Sequence, residues 1–248
     1  MVKILAIGNS FSHDALKYFH RIAKSAGIET KTVNLFIGGC PLIRHWENIE
    51  KDEAAYDYEL NGAEGSKKTS IKDALLEEKW DYITLQQASN DSGVEETYYP
   101  YLTKVSEYAK QLCPGAKQLI HETWSYEIDS DHGAFPVYDC DQLKMYHALK
   151  ACYQKAADTL HTQIIPCGDV IQHLRTLKPF DYQNGGLSLC RDGYHLSETY
   201  GRYAAAATWY ECILNADIRQ NTFLPDDADE QLIQLIREEV HKIVHGEQ

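Results

Sequence analysis

Three residues near the two ends of the chain have the types that acyl transfer requires. Ser10 lies in Gly8-Asn9-Ser10-Phe11-Ser12, directly after an apolar run, and Asp192-Gly193-Tyr194-His195 lies in a polar, glycine-containing loop near the other end. A serine hydroxyl attacks a carbonyl only when a base takes its proton, and an imidazole acts as that base when a carboxylate fixes its tautomer. Asp192 and His195, three residues apart, can meet that need within one turn. Singly, each has a blander reading: Ser10 as a turn residue or helix cap, His195 as one of eleven histidines. Their order and placement together outweigh those readings.

Hydrophobic periodicity gives the elements that must position them. Lys3 to Ile7 is largely apolar and ends at Gly8, as expected of a parallel strand covered on both faces. Asp14 to Ala26 repeats apolar residues at helical spacing and closes at Gly27, so the Ser10 turn joins a strand to a helix. Open parallel sheets place ligands at that edge, where helix N–H groups favour negative charge. Further strands are expected at Ile28 to Ile37, Asp81 to Leu85, Lys117 to His121 and Thr162 to Ile165. Helices are expected over about Ser70 to Glu78, Glu95 to Leu112, Asp139 to Leu160 and Asp169 to Leu177. Ser197 suits the N-cap of a last core helix through Leu214, and Asp229 to Val244 is an amphipathic C-terminal helix. The polar stretch from about Asn48 to Lys68 reads as a surface insertion. The alternation predicts a three-layer α/β/α sandwich around a parallel sheet of about five strands, in a single domain over residues 1–248.

With Gly8-Asn9-Ser10 near the N-terminus and Asp192-Gly193-Tyr194-His195 before the last core helix, the chain resembles the SGNH (GDSL-like) hydrolases. That family's first block is G-D-S and its last is D-x-x-H. The resemblance runs over roughly Lys3 to Leu214 and implies a flavodoxin-like SGNH fold and a cofactor-free serine esterase. In the family, a glycine after the second strand and a G-x-N-D block after the third supply oxyanion donors beside the serine's own N–H. Asn34-Leu35-Phe36-Ile37-Gly38-Gly39 resembles the former, with Gly39 at the donor position and Gly38 adjacent. Ala88-Ser89-Asn90-Asp91 resembles the latter less closely: Asn90 stands at the donor position, but Ala88 replaces the glycine, and Gln87, whose amide also donates, is its rival. Asn9 replaces the usual aspartate of the first block, which is not the triad acid. These departures resemble a divergent Bacteroides-type branch whose chains begin G-N-S-F-S.

Aromatic and polar residues of the connecting loops are candidates for the pocket, with Phe11, Trp46, Trp124 and Tyr194 foremost and Arg44, His45 and Tyr126 beside them. Rings stack on sugar faces, which suits a carbohydrate ester, although ordinary packing is the commoner fate of each such residue. Cys40 has no carboxylate–histidine pair near it in sequence and is not read as a nucleophile. No metal is expected, since His121 with Glu122, and Asp129 with Asp131 and His132, match no established ligand spacing.

The rest of the composition narrows the class. A net charge of -13 without a basic run argues against nucleic acid, and no apolar run approaches the length that crosses a bilayer. A hydrophobic content of 44% predicts a soluble globular chain. Neither the dinucleotide glycine pattern nor the Walker lysine is present, against a nucleotide-binding flavodoxin-like domain. Seven scattered cysteines without a C-x-x-C pair read as free thiols in a reducing compartment. Met1 to Gly8 holds no signal-peptide core, so a cytoplasmic location is expected, or a periplasmic or secreted one for a precursor whose leader has been removed. The activity expected is hydrolysis of a small acyl ester, acetyl foremost, carried on a carbohydrate. A catalytically silent carbohydrate-binding protein on the same fold is the alternative. Oligomeric state has no signature.

Overall fold

In the computed structural model, which describes residues 1–246, the chain opens with β1 (Val2–Ile7) and turns at Gly8 and Asn9 into α1 (Ser10–Leu16). There follow α2 (Phe19–Ser25), β2 (Thr30–Phe36), α3 (Leu42–Lys51), β3 (Tyr56–Leu60), β4 (Lys68–Thr69), α4 (Ile71–Glu77) and β5 (Tyr82–Leu85). The second half contains α5 (Tyr101–Leu112), β6 (Lys117–His121), α6 (Gln142–Leu160), β7 (Gln163–Ile165), α7 (Cys167–Leu174), α8 (Tyr200–Leu214) and α9 (Glu230–His245).

The strands form one mixed sheet in the order β4-β3-β2-β1-β5-β6-β7. The five parallel strands expected from the sequence are present: β1 pairs with β2 and β5, β6 lies between β5 and β7, and all these pairings are parallel. Ile4 to Ile7 on β1 and Ile83 to Leu85 on β5 are buried, as the centre of a doubly covered sheet requires. Two helix layers cover it: α8 packs against α1, α2, α7 and α9, and α5 against α3, α4 and α6. Ala204 to Ala207 are fully buried in the middle of α8, which is why that helix has no polar stripe.

The structure corrects the sequence reading in four places. The stretch from Asn48 to Lys68 is no insertion: it holds the end of α3 and all of β3, which pairs antiparallel with β2 and carries β4 at the sheet edge. Its buried members are polar and therefore invisible to hydrophobic periodicity: His45 Nδ1 and Asn48 Nδ2 both lie within 3.0 Å of Tyr56 Oη, and Glu59 is buried. The first helix begins at Ser10 and breaks near Tyr18, giving α1 and α2. The helix expected from Glu95 starts only after Pro100. The last core helix begins at Tyr200, and Ser197 Oγ accepts the Gly201 N–H at 3.0 Å. Asp229 caps α9, which returns to α8 and buries Ile233, Ile236 and Val240. All seven cysteines are free thiols, and no described helix is long and apolar enough to cross a membrane.

Candidate active site

Ser10 is the first residue of α1, at the carboxyl end of β1. Asn9 caps the helix: its Oδ1 accepts the Phe11 N–H at 3.0 Å, while Ser12 Oγ accepts the Asn9 N–H at 3.0 Å. The same amide donates from Nδ2 to the Cys40 carbonyl at 3.2 Å and accepts Gln86 Nε2 at 2.8 Å. Gln86 Oε1 in turn meets His121 Nδ1 at 2.7 Å. A chain of buried amides thus crosses the ends of the central strands and fixes the turn that carries Ser10. It also accounts for Asn9, because an aspartate there could accept from Phe11 and Gln86 but could not donate to Cys40. Gly8 is required by close approach, since a Cβ at that position would lie 2.2 Å from Ser12 Oγ. Ser10 itself is half-buried, and its hydroxyl makes no hydrogen bond to any described residue.

The loop before α8 presents the acid and the base together. Asp192 Oδ2 is 2.7 Å from His195 Nδ1, and Oδ1 accepts the backbone N–H of His195 at 2.7 Å and of Tyr194 at 3.2 Å. Gly193 takes φ +83°, a conformation that L side chains rarely adopt, and its carbonyl accepts the Glu127 N–H at 2.7 Å. Burial pushes the Asp192 carboxyl up, but the imidazole and backbone donors outweigh it and hold the group below its ordinary range. With Nδ1–H given to Asp192, the ring nitrogen left to accept a proton is Nε2, the tautomer a general base needs.

One buried carboxylate ties this loop to the serine helix. Asp14, one turn after Ser10 on α1, is fully buried and receives Arg191 Nη1 at 3.0 Å, Arg202 Nε at 2.8 Å and the Leu196 N–H at 2.8 Å. Trp124 Nε1 donates to the Tyr194 carbonyl at 2.8 Å, and its ring stacks on Phe11 at 4.4 Å. The Phe11 ring lies 5.9 Å from the His195 ring. The structure therefore brings Asp192 and His195 into direct contact and sets them against the residue that follows Ser10, without a Ser10–His195 hydrogen bond.

The other candidates fare unevenly. Gly39 sits in an exposed turn after β2 at φ +61°, next to the Cys40 carbonyl held by Asn9. Asn90 is half-buried in a short 3-10 turn, with Nδ2 donating to Asp91 Oδ1 at 2.8 Å. Gln87 is not available as an oxyanion donor: fully buried, it gives Nε2 to the Thr97 carbonyl and hydroxyl at 3.1 and 3.0 Å and accepts the Leu42 and Ala88 N–H groups at Oε1. Phe11 and Trp124 are likewise withdrawn from a substrate-binding role, because both are buried and spend their faces on each other. Trp46 is half-buried on α3, under Lys104 Nζ at 4.7 Å. Tyr194 is half-buried between His195 and His132, with ring centroids 4.3 and 4.7 Å away. Arg44 is exposed, and His45 and Tyr126 are core residues. Burial pushes the Cys40 thiol up to about 12, which leaves no thiolate for attack.

Two features have no signature in the motif pattern. The Asn9–Gln86–His121 chain is assembled from three strand ends far apart in sequence. The Asp14 anchor was open to one clue, an acid on the helix that begins at Ser10 and an arginine directly before Asp192, but only the fold shows that they meet.

A family model described as a domain of unknown function, DUF4886, matches residues 3–243. A crystal structure of a DUF4886 family protein from Bacteroides uniformis is 36% identical, superposes with a TM-score of 0.91, and is matched over 100% of this chain and 96% of that one. A candidate SGNH hydrolase from Slackia heliotrinireducens has a TM-score of 0.57 at 20% identity, over 85% of this chain and 97% of that one. An acetylxylan esterase from Geobacillus stearothermophilus has a TM-score of 0.52 at 12% identity, over 86% and 93%. These two share the fold. No curated protein matches the chain. Matched by the family model over nearly its whole length, and on the fold of the SGNH hydrolases, the chain belongs to the DUF4886 family.

Proposed function

We propose that this protein is a serine esterase that cleaves small acyl esters, acetyl foremost, from a hydroxylated carrier such as a carbohydrate. Ser10 Oγ adds to the ester carbonyl as its proton passes to His195 Nε2. The oxyanion is held by the N–H groups of Ser10 and Gly39 and by Asn90 Nδ2. Collapse expels the alcohol, which takes the proton from His195 and leaves the acyl group on Ser10. Water then attacks the acyl-enzyme as His195 takes its proton, the acyl group leaves as the carboxylic acid, and His195 returns the proton to Ser10 Oγ.

The observation that carries this reading is the Asp192–His195 bond of 2.7 Å, standing on a loop that Asp14 fastens to the helix beginning at Ser10. Nucleophile–base contacts are commonly looser without substrate. Beside Asp192, a cleft of about 440 Å³ is lined by Asp129, Ser130, Asp131, Tyr182 and Arg191. Hydroxyl, carboxylate and guanidinium groups in one cleft suit a leaving group rich in hydroxyls, and an acetylxylan esterase shares the fold.

Replacing Ser10 tests the reading. Ser10→Ala should lower hydrolysis of an activated acetate ester by at least about 10³-fold while leaving the melting temperature unchanged. A fluorophosphonate should label the native chain at Ser10 and leave the variant unlabelled. Undiminished turnover by Ser10→Ala would overturn the mechanism, and sugar binding without labelling would favour a silent binding protein.

A further inference from the structure

A second cluster of side chains lies away from the Ser10 turn, where α9 docks on α8. His241 and His245 stand one turn apart on α9, so that both rings face the same way, with centroids 4.4 Å apart. Opposite them on α8, Glu211 is 2% exposed. His241 Nδ1 lies 2.9 Å from Glu211 Oε1, and His245 Nε2 lies 2.9 Å from Oε2. The three ligand atoms fall within 4.8 Å of one another. Asp217 Oδ1 is 3.5 Å from His241 Nδ1, on the loop that leaves α8. The Ile218 N–H donates to Glu211 Oε1 at 2.8 Å and holds the carboxylate in its orientation.

We propose that Glu211, His241 and His245 form a zinc site that fastens the C-terminal helix to the body of the protein. Two imidazoles and a carboxylate are an established zinc donor set, and they match borderline cations better than calcium or magnesium, which want oxygen. In tetrahedral coordination, metal–ligand bonds of 2.0–2.2 Å put neighbouring ligand atoms about 3.3 Å apart. Each imidazole nitrogen now lies 2.9 Å from its carboxylate oxygen, and the three ligand atoms fall within 4.8 Å of one another, so the ion needs the nitrogens to draw back from the carboxylate by roughly half an ångström. Asp217 or water completes the shell. On binding, the metal takes the place of the protons that the ring nitrogens facing Glu211 donate to its carboxylate, and each imidazole ligates with its proton on the other nitrogen. Other pairings, His195 with Asp192, His13 with Glu59 and His173 with Glu239, each bring one imidazole to a carboxylate. Among the described residues, two converge only at Glu211.

Titration of zinc into the chelator-treated full chain, followed by calorimetry, tests the site. The expected result is one saturable equivalent of micromolar affinity or tighter, with a melting temperature about 5–10 °C higher at a hundredfold excess over Kd. His245 is exposed near the end of α9, so His245→Ala should fold normally, bind zinc at least about 100-fold more weakly and lose the thermal shift. Glu211→Gln, which keeps the size of the buried side chain, should do the same. Absence of a saturable equivalent in the native chain, or unchanged affinity in His245→Ala, would overturn the proposal, the latter by locating the ion elsewhere. Esterase activity plays no part in the readout, so this inference stands or falls independently of the Ser10 mechanism.

Discussion

At the scale of single residues, the proposed chemistry rests on how Asp192 spends its oxygens: one on the imidazole and one on two backbone N–H groups. Because its pKa is held below the ordinary range, it stays ionised from neutral pH down past the point where a free carboxylate would protonate. Its contribution to stability is present above that ordinary value and is lost only as pH falls through the depressed one. The acid limb of the rate profile should therefore report the base and not Asp192. Asp192→Asn should reduce kcat by about 10⁴-fold, the loss expected when a triad carboxylate becomes an amide that favours the wrong tautomer. Steady-state kinetics from pH 5 to 9 would check this, and near-native kcat in the variant would remove Asp192 from the mechanism. The motif residues were legible because each is a chemical type at a fixed spacing. Gln87 and the aromatics were not, because a competent donor or ring can be spent inside the protein, and only the partners reveal it.

At the scale of elements, the helix that begins at Ser10 and the loop that carries Asp192 and His195 are joined by Asp14. Removing the charge of that carboxylate leaves the Arg191 and Arg202 contacts facing a neutral group at a site with no water exposure, and breaking a buried pair in this way costs about 3 kcal/mol. Asp14→Asn should lower the urea midpoint accordingly and reduce kcat/KM, since the loop that carries His195 and lines the neighbouring cleft loses its anchor. Native kcat/KM in the folded variant would make Asp14 merely structural. The parallel strands could be read from sequence because doubly covered strands are continuous apolar runs. β3 could not, because its buried residues are Tyr56 and Glu59, one on each face of the strand, whose polar atoms are satisfied by side chains of α1, α3 and β2.

At the scale of the whole molecule, pH acts through a group far from any motif. Glu122, directly after β6, is buried against the start of α7, where its carboxylate accepts the Asp169 N–H at 3.1 Å. Burial, reinforced by the Asp169 charge, raises its pKa well above the ordinary value of 4.5. The folded chain thus retains a proton that the unfolded chain releases, so this stabilisation is complete below about 4.5 and is lost as pH rises through the raised value. Glu122→Gln should abolish that slope, which reaches at most about 1.4 kcal/mol per pH unit, and should make the protein more stable than the native chain at pH 9. Chemical denaturation at pH 5, 7 and 9 would show it, and parallel curves for the two proteins would refute the assignment.

The sheet also ends in a particular way on each side. Its outermost strands are β4, with two residues, and β7, with three, while the long apolar segments lie in the middle. Lys68 on β4 is exposed and paired with Asp57. Neither border offers enough unpaired backbone to recruit an extended segment from another molecule, so strand-by-strand growth into fibrils has no template in the folded protein. Self-association of that kind must wait until the helix layers have come away and bared β1 and β5, which ties resistance to aggregation to the cooperativity of unfolding.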